Sequence, residues 1–353
     1  MVAETGPIVT TIIPTYRRPQ KLRRAILSAL RQTYVNLRVC VYDNASSDET
    51  AAVVREIAVS DARVSYFCHP ETIDAGDNFQ FGLSCVTTEF FSFLGDDDVL
   101  LPACYENALV KLHKFPEALC CVGSAVDIQE DGGQIIDIPL QHWPDLELFT
   151  PPEGLFAILK HYANWCGTVF RKEVIDQIGP LDCALKTFDF EYLVRLASRF
   201  QFAISKELSA LFVHHKQSYS GKRLPKLYWP SWKIIFENIQ NEATLAENEK
   251  SAALILLEKK LHKHLFSAAV SHLKSGNLDI AQAAAEILEE RFPHHALINH
   301  MLYRSIHFSK KFRLVQLLLS RLIHIGETIR RKVISSKFKK HDPISIFQMK
   351  LKN

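Results

Sequence analysis

Between Ile8 and Leu94 four short β-rich apolar runs alternate with stretches of helical periodicity, and few folds accommodate that alternation. The runs are IVTTII at 8–13, Leu37–Asp43, Val64–Cys68 and Phe90–Leu94. Between them apolar residues recur at helical spacing: Leu22, Ile26 and Leu30 after Pro19, a stretch after Ser47, and Phe79–Val86. Pro19 stands near a helix start, where a missing N–H costs nothing. Strands separated by helices of 10–15 residues form βαβ units, which imply a parallel sheet covered by helices. Another helix is predicted after Pro102 and a strand through Leu119–Gln129, with Asp131-Gly132-Gly133 turning into a hairpin partner at Gln134–Ile138.

The pattern changes near Gly221, Pro225 and Pro230. From Trp229 onward the chain reads as helical, and Ser267–Lys274 with Leu278–Phe292 predicts a helix pair turning at Ser275-Gly276-Asn277. One such pair does not make a repeat. The expected organisation is an α/β domain over 1–222, with a mixed, mostly parallel sheet flanked by helices, and an all-α domain over 223–353. At roughly 100–200 residues per domain, 353 residues suit that division.

Hydrophobic residues at 47% and charged residues at 23% exclude disorder, collagen and a disulfide-dense scaffold. No apolar run reaches the 18 or so residues of a spanning helix, and Met1–Pro7 lacks the pattern of a secretory signal. Eight cysteines without a C-x-x-C pair read as buried thiols in a reducing compartment, with the cytoplasm as the default. Charge is unevenly spread. From Arg304 to the end there are thirteen Lys and Arg against Glu327 and Asp342, while the preceding residues are acidic in balance.

Three clusters fall where ligands bind open parallel sheets, beyond the carboxyl ends of strands. The first is Pro14-Thr15-Tyr16-Arg17-Arg18-Pro19. The second is Val41 to Thr50, in which Asp43 is placed to accept hydrogen bonds from a nucleobase and Asp48 reads as a helix cap. The third is Gly95-Asp96-Asp97-Asp98, at the end of an apolar strand. Three adjacent carboxylates repel one another. They suit either a solvated loop or a divalent-metal site whose shell a substrate's phosphates complete. No GxGxxG or Walker-type GxxxxGK occurs, which disfavours dinucleotide oxidoreductases and P-loop enzymes.

The runs TTIIPTYRRP, VYDNASSDET and FSFLGDDDVLLP, with ETIDAGDNFQFGL at 71–83 and GTVFR at 167–171 followed by IGPLD and DFEYLVRL, resemble family 2 glycosyltransferases of GT-A fold. The resemblance covers about residues 6–221. It implies an inverting enzyme using a nucleotide-sugar donor, with a uridine-linked one expected, and a glycan or lipid-linked glycan acceptor in polysaccharide biosynthesis. Carried over, Pro14, Thr15 and Tyr16 line the nucleoside pocket, Asp43 contacts the base and Asn78 belongs to the segment closing over the nucleotide. Asp96 and Asp97 lie around the ribose and diphosphate. Asp98 is the principal ligand of Mg2+ or Mn2+, and His215, with Ser218 and Ser220, closes over the diphosphate or metal. Asp189 matches the catalytic base, with Glu191 as fallback, although Phe188 stands where the family often has Glu. Read without the resemblance, Asp189 is an ordinary helix cap, and His215 is a surface residue.

Asn164 and Trp165 offer an amide and an aromatic plane to a sugar, while Trp165 equally suits the core. The basic stretch 304–353 reads either as an element for an anionic membrane surface, at the inner face of the plasma membrane, or as a helix with a solvated positive face. A nucleic-acid partner is not expected, because no aromatic residues interleave with the basic ones. A helical appendage is also suited to making a homo-oligomer. The alternative from another functional class is a nucleotide-sugar-binding assembly protein without turnover, docking through its helices.

Overall fold

The computed structural model describes residues 6–161, 163–215, 224–311 and 315–326. It divides into two compact units, residues 1–215 with 242–249, and residues 216–241 with 250–353.

The first unit alternates as the apolar runs predict: β1 (Val9–Thr15), α1 (Pro19–Leu30), β2 (Leu37–Asp43), α2 (Thr50–Ser60), β3 (Val64–Cys68), α3 (Ala75–Ser84) and β4 (Phe90–Phe93). There follow β5 (Val99–Leu100), α4 (Cys104–Lys114), β6 (Cys120–Gln129), β7 (Ile135–Asp137), β8 (Leu148–Phe149), α5 (Glu153–Lys160), β9 (Val169–Arg171), α6 (Glu173–Ile178), α7 (Phe188–Arg199) and β10 (Phe202–His214). The main path of the sheet runs β3-β2-β1-β4-β9-β6-β10-β5.

Strands β1–β4 pair in parallel, and β6 pairs in parallel with β10. Between these halves β9 lies antiparallel to both β4 and β6. All seven residues of β1 are buried because helices cover both faces, so the strand reads as a run rather than an alternation. Leu22, Ala25, Ile26 and Ala29 form the buried stripe of α1 against that sheet. The hairpin of β6 and β7 forms around Gly132 and Gly133, both at positive φ.

Strand β10 runs for 13 residues. Lys206 and Glu207 interrupt its apolar pattern, and there its register with β6 shifts. A bulge of this kind bends the strand and re-aims the residues beyond it, here including Val213 and His214.

The second unit holds α8 (Pro225–Gln240), most of α9 (Glu247–Ser275), α10 (Leu278–Arg291), α11 (Ala296–Lys311) and a helical segment at 315–326. The predicted pair is present, but its first member extends back to Glu247, with Leu257, Leu261 and Leu265 repeating every fourth residue along its buried stripe. It stops at Gly276, φ +80°, where the Asn277 N–H reaches back to the His272 carbonyl at 2.9 Å.

Candidate active site

Strand ends β1, β2 and β4 deliver three loops to one edge of the sheet. The loops after β1 and β2 are stitched together: the Arg17 N–H donates to Ser46 Oγ (2.8 Å) and Arg17 Nε to the Ser46 carbonyl (3.2 Å). Arg17, Ala45 and Ser47 all hold left-handed φ values of 52–55°. Such conformations cost about 1–3 kcal/mol each in non-glycine residues and concentrate at ligand-binding loops. Tyr16 is exposed at this edge, with the Arg17 guanidinium 5.0 Å from its ring centroid. Pro14 pairs with Tyr42 in the β1–β2 ladder, and Thr15 is buried.

Asp43 is 2% exposed, and both its oxygens meet protein donors. Oδ1 accepts from the Ser46 N–H (3.0 Å) and hydroxyl, and Oδ2 from the Tyr66 hydroxyl at 2.6 Å. Asp48 Oδ1 accepts from the Thr50 N–H at 2.8 Å, but the N-cap position of α2 is held by Glu49, so Asp48 closes a local turn at the helix entry instead of capping it.

The acidic triplet separates into three environments. Asp96 is buried. Its Oδ2 accepts from the Thr15 hydroxyl (2.8 Å) and its Oδ1 from Arg18 Nη1 (2.9 Å). Asp97 is partly open to solvent, and its Oδ2 lies 2.9 Å from Arg18 Nη1 and 2.7 Å from His215 Nε2. Asp98 is 4% exposed, accepts from the Val213 N–H at 2.9 Å and faces the Cys166 thiol. Burial, then repulsion from Asp97, raises the carboxyl pKa of both Asp96 and Asp98. Arg18 opposes the rise at Asp96, and the Val213 N–H opposes it at Asp98. Gly95 gives the carboxylates room, because a Cβ there would lie 2.8 Å from Asp98 Oδ2 and 2.9 Å from Asp97 Oδ1.

Asp98, expected as the principal metal ligand, has its carboxylate turned into the protein against β10 in this structure. Asp97 occupies the accessible position beside His215. No three His, Cys, Asp or Glu side chains converge on one point among the described residues. The donor set nonetheless fits a hard divalent ion of the kind that takes one or two protein ligands and completes its shell with phosphate oxygens and water. Asp97 and His215 would hold it. Ser218 and Ser220 lie outside the described residues.

Asp189 lies in the first turn of α7 and is exposed. Nearby protein raises its carboxyl pKa by desolvation, while the backbone N–H groups of Phe190 and Asp189 itself act against the rise. Glu191 is not available as a base. It is 1% exposed and held by Arg195, whose Nε lies 2.6 Å from Glu191 Oε1.

Residues 10–179 match the family model described as glycosyl transferase family 2. Over these residues the chain belongs to that family. An uncharacterized glycosyltransferase of Rickettsia typhi is 24% identical over 290 residues, which is 81% of this chain and 86% of the relative. A GalNAc(5)-diNAcBac-PP-undecaprenol beta-1,3-glucosyltransferase of Campylobacter jejuni is 33% identical over 109 residues, 31% of this chain and 35% of its own length. Among solved structures, S. aureus TarS 1–349 in complex with UDP-GlcNAc matches with TM-score 0.64 at 14% identity, over 86% of this chain and 91% of that one. Mannosyltransferase PcManGT from Pyrobaculum calidifontis, in complex with GDP-Man and Mn2+, matches with TM-score 0.52 at 15% identity, over 92% and 88%. At such identities the structural likeness establishes the GT-A fold.

Two other expected site residues of this glycosyltransferase turn inward. Asn78 spends its amide inside the protein: Nδ2 donates to the Tyr42 carbonyl (3.0 Å) and Oδ1 meets His69 Nε2 (3.0 Å). It braces α3 on β2. Trp165 offers no open plane either, because it is stacked on Phe93 at 4.5 Å and meets Phe188 and Tyr192 edge-on. Its Nε1, the Asn164 Nδ2 and the Thr187 Oγ1 are nevertheless buried with no hydrogen-bond partner among the described residues. Asn164 uses its Oδ1 on the Cys166 N–H at 3.0 Å.

Arg18 and Ser46 lie in the first two clusters without an assigned role, and Tyr66 escaped the sequence reading. Their only signal is position, beside strand ends that already stand out. Their partners come from other strands and loops.

Proposed function

We propose that this glycosyltransferase inverts configuration as it moves a sugar from a nucleotide-sugar donor, uridine-linked, to a hydroxyl of a glycan or lipid-linked glycan in polysaccharide biosynthesis. The observation that carries the reading is the meeting of Asp97, Arg18 and His215 at the carboxyl edge of the sheet. One accessible carboxylate, one guanidinium and one imidazole suit a diphosphate accompanied by a divalent ion. Such an ion supplies charge neutralisation for the departing nucleoside diphosphate. The TarS complex with UDP-GlcNAc supports the uridine assignment, and the Campylobacter relative's name supports a lipid-linked acceptor.

Within this reading Pro14, Thr15 and Tyr16 frame the nucleoside. Asp43, oriented by Tyr66 and Ser46, retains acceptor capacity for the base. Arg18 neutralises Asp96 and Asp97 and stands ready for phosphate oxygens. Asp189 takes the proton from the acceptor hydroxyl, which attacks the anomeric carbon opposite the leaving diphosphate. The surrounding protein makes Asp189 a stronger base than a free aspartate. The unpartnered donors at Asn164, Trp165 and Thr187 suit sugar hydroxyls.

A thermal-shift screen of nucleoside diphosphates and nucleotide sugars with Mg2+ or Mn2+ tests the reading. A ligand at a hundredfold excess over Kd stabilises the native state by about 2.7 kcal/mol. Uridine compounds should raise the midpoint most, and no shift with any nucleotide would refute the proposal.

A further inference from the structure

The segment at 315–326 carries more apolar surface than it packs against its own protein. Its inward side is mixed: Gln316 Nε2 donates to the Leu273 carbonyl (3.3 Å) and Ser320 Oγ to the Lys274 carbonyl (3.0 Å), both at the end of α9, beside the partly buried Val315, Leu319 and Ile323. A further apolar side faces outward. Leu318, Leu322 and Ile325 share one stripe by helical spacing, each is more than half exposed, and no residue of the segment is buried.

Helix α11 carries a second stripe of this kind. Asn299, Leu302, Ile306 and Ser309 are its buried face, while Ile298, Met301 and Phe308, on the adjoining arc, are half or more exposed. Single exposed apolar residues need no explanation, but exposed apolar stripes on successive helices mark an interaction surface. Beside the 315–326 stripe a groove of about 370 Å³ brings Lys274, Arg321 and His324 together with Leu317 and Ile325.

We propose that α11 and the 315–326 segment dock the protein on an anionic bilayer surface, lying in the headgroup region. Charge decides the occupant. The two elements carry Arg304, Lys310, Lys311 and Arg321 and no acidic residue among their described residues. A second copy on this face would set like charge against like charge, whereas anionic headgroups satisfy the cations while the stripes enter the acyl boundary. No helix among the described residues is long and apolar enough to cross a membrane, so the attachment lies along the surface. The inference goes beyond the proposed transfer reaction and stands without it.

Co-sedimentation of the full chain with vesicles of phosphatidylcholine, alone or mixed with phosphatidylglycerol, tests it. Binding to the mixed vesicles should be about tenfold tighter or more, and should weaken as salt screens the headgroups. The combined Leu318→Glu, Leu322→Glu and Ile325→Glu variant should lose that binding about tenfold while keeping its thermal midpoint, since all three side chains are exposed. Wild-type protein that ignores the mixed vesicles overturns the proposal. So does a variant that binds like the wild type, which would leave the basic tail acting alone. A wild-type dimer that the same substitutions split would name a second copy as the occupant instead.

Discussion

His215 Nε2 stands 2.7 Å from Asp97 Oδ2, joining the end of β10 to a loop 118 residues earlier in the chain. The contact brings a neutral or cationic nitrogen to the one carboxylate of the triplet that is open to solvent. His215→Ala should weaken Mn2+ affinity, read by electron paramagnetic resonance, by ~10–100-fold, the range typical of residues that ligate or orient a ligand. Unchanged Mn2+ affinity would remove His215 from the site.

Asp97 and Asp98 should separate cleanly by mutation. Asp98→Ala leaves the buried Val213 N–H without its acceptor, which costs about 1–3 kcal/mol of stability. Asp97→Asn should leave the urea midpoint nearly unchanged and reduce transfer about 100-fold or more. Equal effects of both changes on stability would contradict the division of roles drawn from their burial.

Asp189 gives a pH signature. A base works only when deprotonated, so the competent fraction falls as pH falls through its pKa. Because the surrounding protein raises that pKa, the acid limb of kcat/KM should lie above the ordinary aspartate value of about 3.9. Asp189→Asn should lower transfer about 100-fold or more, abolish that limb, and leave nucleotide affinity unchanged. An acid limb that survives the substitution would assign the proton to another group.

Glu191 and Arg195 form a structural pair, since Arg195 also donates to the carbonyls of Ile178 (2.7 Å) and Pro180 (2.9 Å). Arg195→Ala strands a buried carboxylate and should destabilise by about 3 kcal/mol in chemical denaturation. A loss of activity without loss of stability would contradict a purely structural role.

The parallel half of the sheet was legible because strands covered on both faces become apolar runs, as in β1 and β4. The antiparallel insert β9 has three paired residues, and its place between β4 and β6 depends on partners about fifty to eighty residues away, which no local pattern encodes. The candidate site was legible as residue types at strand ends. Its internal division was not. Which of three consecutive aspartates faces water depends on Arg18, Val213 and His215 arriving from other elements. Residue type misled at Glu191, whose carboxylate is committed to Arg195, and at Trp165, whose face Phe93 covers.

Isothermal titration of UDP against wild type and Asp97→Asn, with and without Mn2+, tests the central claim most directly. UDP should bind the wild type in Mn2+, and should lose about tenfold or more in affinity when either the ion or the Asp97 carboxylate is removed. Equal affinity under all four conditions, or no UDP binding in any of them, would contradict a donor site built around Asp97.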